Sequence, residues 1–289
     1  MKQLLILSGK GGTGKTTVAS AFIKISKAKS YADCDVDAPN LHLSMGKEKP
    51  SEQSDFFGLD KALIKQDSCI KCGKCKDACR FDAIDIVDGC YEVNKAACEG
   101  CAVCALVCPN SAVSMLKTAA GKLMLYKEDD VVFSTAQLNI GSGNSGLLVT
   151  EVKKNMQNSA QSDFAIIDGS PGIGCPVIAS ISGTDLILVV SEPSVSGISD
   201  LERIIQTAEV FGVKTAVCIN KFDTNQKISD EIEGYCSEKG ISFVGRIPFD
   251  NLAMEAINAG KTVADIDCPS GHAIEEIYSK TYKLLSEED

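Results

Sequence analysis

Eight of the fourteen cysteines in this 289-residue chain fall into two runs of one spacing. The first run is Cys69, Cys72, Cys75 and Cys79. The second is Cys98, Cys101, Cys104 and Cys108, followed by Pro109. Each reads C-x2-C-x2-C-x3-C, the spacing by which thiolates hold a [4Fe-4S] cube. In two-cube proteins the fourth cysteine of each run serves the other cube. Cys69, Cys72, Cys75 and Cys108 are therefore expected around one cube, and Cys98, Cys101, Cys104 and Cys79 around the other. A zinc ribbon is the alternative, but zinc sites use four ligands in paired C-x2-C knuckles. Three cysteines two apart in each run fit a cube better. Arg80 stands where the pattern expects a proline after Cys79, and a cation there would favour the reduced, more negative cube.

A second chemistry sits near the N-terminus. Gly9-Lys10-Gly11-Gly12-Thr13-Gly14-Lys15-Thr16 is a phosphate loop, with Thr17 following it into a helix. Its glycines let the backbone close on a triphosphate, so that N–H groups and the helix N-terminus face the anion. Lys15 reaches the β- and γ-phosphates, and the Thr16 hydroxyl ligates Mg²⁺. Phe164-Ala-Ile-Ile-Asp168 is a buried strand ending in one carboxylate, a second Mg²⁺ ligand at the edge where open sheets collect their ligands. The loop Gly169-Ser170-Pro171-Gly172 follows it.

The elements that must hold these residues alternate. Lys2 to Ser8 reads as a buried strand, Thr16 to Lys27 as a helix with apolar Val18, Ala21, Phe22 and Ile25 at helical spacing, and Tyr31 to Asp35 as a strand. From about Ser51 to Leu125 the pattern changes to short strands and cysteines. The two halves of that segment repeat, Cys79 to Ile84 matching Cys108 to Val113. Alternation then resumes. Strands are expected at 131–136, 164–168, 185–191, 214–220 and 242–247, and helices at 145–159, 197–211, 227–239 and 273–289. The fold class is α/β, a mostly parallel sheet with helices on both faces. Residues 1–50 and 126–289 form the nucleotide domain, and 51–125 a small inserted α+β ferredoxin-like domain.

Composition narrows the partners. A net charge of −10 argues against nucleic acid, whose backbone demands basic patches. No apolar run is long enough to span a bilayer, and the C-terminal segment ends Ser-Glu-Glu-Asp, where a membrane-seeking helix would carry Lys and Arg. With no signal peptide, the expected place is the cytoplasm, where thiols bind metal rather than pair as disulfides.

Further motifs carry a family resemblance. Lys10-Gly-Gly-Thr-Gly-Lys15-Thr-Thr resembles the deviant phosphate loop of the MinD/ParA superfamily, which includes the nitrogenase iron protein and the Mrp-type iron–sulfur carriers. Asp33-Cys-Asp35-Val-Asp-Ala-Pro-Asn40 resembles its switch I, and Asp168 to Gly172 its switch II. Asn220-Lys221-Phe-Asp223 and Arg246-Ile-Pro248-Phe249-Asp250 resemble its adenine-side segments. With the insertion, the chain looks closest to MinD-superfamily ATPases that contain an inserted ferredoxin domain.

The resemblance implies a Mg-ATP-dependent ATPase that closes as a homodimer. Lys10 would reach the partner subunit's nucleotide, Asp35 would orient the attacking water, and Asn220, Pro248 and Phe249 would contact the base. Cys34, Cys90, Cys218, Cys236 and Cys268 read as core or surface thiols. Cys175 lies seven residues after Asp168, where the nitrogenase iron protein ligates a cube shared by two subunits, so it is either a bridging thiolate or a packing residue. Three tasks are implied: iron–sulfur or metal-cofactor assembly or delivery, with an unidentified client; ATP-gated transfer of low-potential electrons; and a MinD-like positioning switch that senses redox state.

Overall fold

The computed structural model describes residues 1–287. The chain opens with β1 (Lys2–Leu7), α1 (Lys15–Ser26), β2 (Ser30–Asp33), α2 (Leu41–Ser44) and β3 (Glu52–Phe57). A cysteine-bearing stretch follows: β4 (Lys61–Ile64), α3 (Lys74–Asp77), β5 (Ile84–Val87), β6 (Cys90–Val93), α4 (Val103–Leu106) and β7 (Val113–Leu116). Then come β8 (Ala119–Glu128), β9 (Val131–Leu138), α5 (Ser145–Ser159), β10 (Phe164–Asp168), α6 (Cys175–Ile181), β11 (Leu186–Ser191), α7 (Val195–Val210), β12 (Lys214–Asn220), α8 (Gln226–Lys239), β13 (Ser242–Ile247), α9 (Asn251–Asn258) and α10 (Pro269–Ser286). The helix expected at 273–289 starts earlier, at Pro269, and Glu288 and Asp289 lie outside the described residues.

The large sheet runs β13-β12-β11-β1-β10-β2-β9-β8-β3. Its pairs from β13 to β9 are parallel, and the β9-β8 and β8-β3 pairs are antiparallel. The central strands are apolar throughout, because helices cover both faces. One face carries α1 and α10, with Phe22, Ile274 and Ile277 packed on Leu4, Ile166 and Leu188. The other carries α5 to α8, with Leu148, Val152, Ile204 and Ile232 against Leu5, Ile167 and Val189.

The edge differs from the sequence expectation. Strand β3 and most of β8 fall inside the 51–125 segment, yet both pair into the large sheet. The hairpin explains it. Asp129 and Asp130 turn β8 back onto β9, with Asp129 at φ 49°. Tyr126 then stacks on Phe133 at 5.1 Å, and Phe133 on Tyr31 at 4.9 Å. This aromatic ladder ties β8 to the core. The stretch between β3 and β8 forms two separate two-stranded sheets, β4-β7 and β5-β6. Their small core is built largely from cysteine: Cys75, Cys98 and Cys104 are buried among Ala62, Ile64, Ala83, Ile84 and Val113.

Candidate functional site

The phosphate loop joins β1 to α1, and Gly14 caps the helix at φ 90°. A side chain there would be strained, and its Cβ would come within 2.2 Å of Asn220 Nδ2. Gly9 is as constrained, since a Cβ would lie 2.1 Å from that of Asp200. A cavity of about 590 Å³ opens over the loop, lined by residues 10–17, Ser8, Asp35, Asn40 and Pro171. The main-chain N–H groups, Lys15, Thr16 and Asp35 thus surround one space, as a triphosphate needs.

Asp168 sits at the C-terminal end of β10, fully buried. It accepts from Lys15 Nζ at 2.5 Å and from Thr16 Oγ1 at 2.7 Å. Burial pulls the Lys15 ammonium down, but the Asp168 charge and hydrogen bond, helped by Asp33 and Asp35, leave it raised above its usual 10.5. Burial also raises the Asp35 carboxyl, against the pull of Lys15.

The two switches are stitched together. Asp33 accepts the N–H groups of Asp35, Asn40 and Leu41, each at 3.0 Å, which folds the Asp35 loop into a fixed turn. Ser170 donates to Cys34 O at 2.5 Å, and Cys34 N to Asp168 O at 2.7 Å. Gly172 N closes on Ser8 O at 2.9 Å.

Lys10 lines the phosphate cavity, but its ammonium is turned to Glu192 at 2.5 Å, with Ser194 and Ser196 beside it. In this arrangement the lysine is bound within its own chain. Ser194 also caps α7 by accepting from Gly197 N.

A second cavity, about 650 Å³, adjoins the first and shares Gly12, Gly14 and Thr17 with it. Pro248, Phe249, Ala253, Met254, Ile257, Val263 and Ile274 give it apolar walls. Its shape and polarity suit a purine. Asn220 lines it, but both ends of its amide are engaged: Nδ2 donates to Thr13 O at 2.7 Å, and Oδ1 accepts from Lys221 N at 2.9 Å. Asp223 Oδ1 accepts from Phe249 N at 2.8 Å and so holds the Pro248–Phe249 loop. The α9 wall was missed from sequence, as was Lys221. Lys221 sits at φ 54° with its ammonium on Gly12 O at 3.3 Å. Only the turn residues around it hinted at such a backbone.

The eight cysteines gather into two groups. One cavity of about 320 Å³ is lined by Cys69, Cys72, Cys75 and Cys108, with Ile64, Tyr91 and Val113. Another of about 350 Å³ is lined by Cys79, Cys98, Cys101 and Cys104, with Ala62, Ile84 and Met115. Each group takes three cysteines from one run and the last from the other, because α3 and α4 pack together and carry the fourth cysteine across. Cys108 Sγ accepts Ala112 N at 3.2 Å and Cys79 Sγ accepts Ala83 N at 3.4 Å, the same contact in each half of the repeat. Burial opposes ionisation of Cys108, but the backbone N–H groups around it win and lower its thiol. Among the described residues no three Cys, His, Asp or Glu side chains converge on a point that would hold one ion. In each cavity four cysteines share the lining.

The other cysteines separate clearly. Cys34, Cys218, Cys236 and Cys268 are buried. Burial pushes Cys34 and Cys218 up to about 12 and Cys236 up to about 11, as packed neutral thiols. Cys90 is half-buried, and Cys175 is exposed at the start of α6.

A parallel sheet with a phosphate loop after its first strand, a buried aspartate at the end of the adjacent strand β10 and a purine-sized cleft define a P-loop nucleotide-binding protein. The chain belongs to the CobQ/CobB/MinD/ParA nucleotide binding domain family, whose model matches residues 4–263. It is similar to the uncharacterized protein MJ0578 of Methanocaldococcus jannaschii, at 33% identity over 98% of this chain and 97% of that one. An iron–sulfur cluster carrier protein of Pyrococcus horikoshii is 23% identical, over 99% and 87%. Among solved structures, the septum site-determining protein MinD of Pyrococcus horikoshii, complexed with Mg-ADP, superposes with a TM-score of 0.59 at 17% identity, covering 99% of this chain and 97% of that one. No helix among the described residues is long and apolar enough to cross a membrane.

Proposed function

We propose that this protein is a Mg-ATP-dependent ATPase whose nucleotide-driven closure as a homodimer is coupled to two [4Fe-4S] clusters, and that it gates electrons or handles metal cofactors for a client. The observation that carries this reading is the pair of cavities, each ringed by four cysteines, on the same chain as the phosphate cradle.

Thr16 and Asp168 would hold Mg²⁺ against the phosphates, with Lys15 released from Asp168 to meet them. Asp35 would orient the attacking water. Lys10, freed from Glu192, would neutralise charge on the partner subunit's nucleotide. Cys69, Cys72, Cys75 and Cys108 would hold one cluster and Cys98, Cys101, Cys104 and Cys79 the other, in a unit spanning residues 58–118. Bound there, the clusters supply low-potential one-electron chemistry.

Of the three tasks, two have an observation in their favour. Cys75, Cys98 and Cys104 are core residues of a small unit, so clusters held by them would be built into its fold. That favours electron delivery. The kinship to an iron–sulfur cluster carrier protein and the exposure of Cys175 favour cofactor delivery, with Cys175 and its symmetry mate bridging the cargo. Anaerobic purification with iron and sulfide analysis, with and without Mg-ATP, separates them. About eight irons per chain that persist through turnover support electron transfer, and progressive loss to an apo-acceptor supports delivery. Colourless protein with zinc on its thiolates sinks both. A Cys175→Ser variant that keeps all iron and all activity removes Cys175 from the scheme.

A further inference from the structure

The two cysteine-ringed cavities are built alike in most respects that set a cluster's potential. Each has one backbone N–H at hydrogen-bond distance from its borrowed cysteine, from Ala83 or Ala112, and the N–H groups of Asn110, Ser111 and Val113 also face Cys108. Each has one exposed cysteine, Cys72 or Cys101. They differ also in buried charge.

Lys61, on β4, is 95% buried and donates to Cys98 O. No carboxylate pairs with it among the described residues, and its ammonium meets that carbonyl instead. A buried ammonium without a counter-ion is costly unless negative charge lies near it. Its partner carbonyl belongs to Cys98, one of the four cysteines of the second cavity. Lys76, half-buried, also donates to a wall of this cavity, at Ile84 O, 2.7 Å. The other charged residues lining the two cavities are exposed, Lys74 at the first and Glu99 at the second, and Arg80, next to Cys79 in the chain, is exposed too. Water and salt screen those.

Resting on the iron–sulfur reading, we infer that Lys61 makes the two clusters unequal, so that the first electron settles in the Cys79/Cys98/Cys101/Cys104 cavity. A buried cation favours the more negative, reduced state of its neighbour. One electron leaves an external low-potential donor and is held on the cluster next to Lys61, with no bond made or broken. This is also the cavity that faces the nucleotide unit. Glu99 lies against Gly143, and Ala96 against Gly141, in the loop that leads into α5. The electron therefore rests on the side nearest the ATPase.

The test is an EPR-monitored redox titration of anaerobically purified full-length protein, with dithionite as donor. Wild type should give two resolved midpoints. Lys61→Met should lower the higher one alone, by roughly tenfold in the reduction equilibrium, about 59 mV for one electron. Lys74→Met should move neither midpoint comparably. In wild type the gap should survive about 1 M salt, where the Debye length is about 3 Å, because the buried charge is not screened. A single midpoint overturns the inference, as does a Lys61→Met shift in the lower midpoint or in both. A gap that collapses in salt also overturns it, and that measurement decides the matter even if the variant does not fold. Protein without iron fails earlier, at the reading on which the inference rests.

Discussion

Lys15 and Asp168 form a buried ion pair, 2.5 Å from Nζ to Oδ1, across the floor of the phosphate cradle. Each atom is the one that nucleotide and Mg²⁺ would claim, so binding must exchange this contact for two others. The pair also supports the fold, since each buried partner neutralises the other.

Asp168→Asn keeps the shape of the side chain and removes its charge. The buried ammonium loses its partner, and stability should fall by about 3 kcal/mol in urea unfolding. Mg-dependent ATP hydrolysis should fall at least about a hundredfold, with the loss of one charge-stabilising contact. Lys15 itself sets an alkaline limit. Its folded value lies above 10.5, so its contribution is complete below 10.5 and is lost as the pH rises through the folded value. An unfolding midpoint that declines between pH 7 and 9 would assign the decline to another group.

Glu192 holds Lys10 within its own chain at 2.5 Å. Glu192→Gln should release the lysine and strengthen Mg-ATP-dependent association, measured by sedimentation. Lys10→Ala should leave ATP affinity within a few-fold but cut phosphate release by about a hundredfold or more. Equal loss of binding and turnover in Lys10→Ala would make it an ordinary phosphate ligand.

The crossed cysteine sets make opposite demands on iron content. Cys108→Ala should damage the site of Cys69, Cys72 and Cys75, although it lies in the second run; Cys79→Ala should damage the site of Cys98, Cys101 and Cys104. Each variant should keep about four of eight irons, and EPR should show which set of signals is left. If Cys108→Ala spares the first-run site, the crossing is wrong.

The base cavity can be filled without touching the phosphate loop. Ala253 lines it on α9, and Ala253→Phe should weaken ATP binding tenfold or more. Inorganic triphosphate, which needs only the cradle, should compete as before. Titration calorimetry with both ligands gives the contrast. Equal weakening of both would place the base elsewhere.

Much of this was legible before any coordinates. The phosphate loop, the aspartate closing β10 and the two cysteine runs are local patterns. The spacing of one short segment sets what its side chains can hold, and a ligand's geometry leaves few solutions. The parallel fold was legible for a similar reason, because strands covered on both faces read as unbroken apolar runs. The sheet edge was not. The cysteine pattern masked β3 and β8, and their place depends on Phe133 stacking between Tyr31 and Tyr126, which are distant in sequence.

Tertiary packing alone decided where the long, flexible cations rest. Nothing near Lys10 in the chain announces Glu192, and nothing near Lys61 announces Cys98. A lysine's charge sits several bonds from its backbone, so its partner is chosen by whatever the fold brings within reach. A loop glycine or a cysteine of the two runs acts beside its own main chain, and its meaning is written in its neighbours.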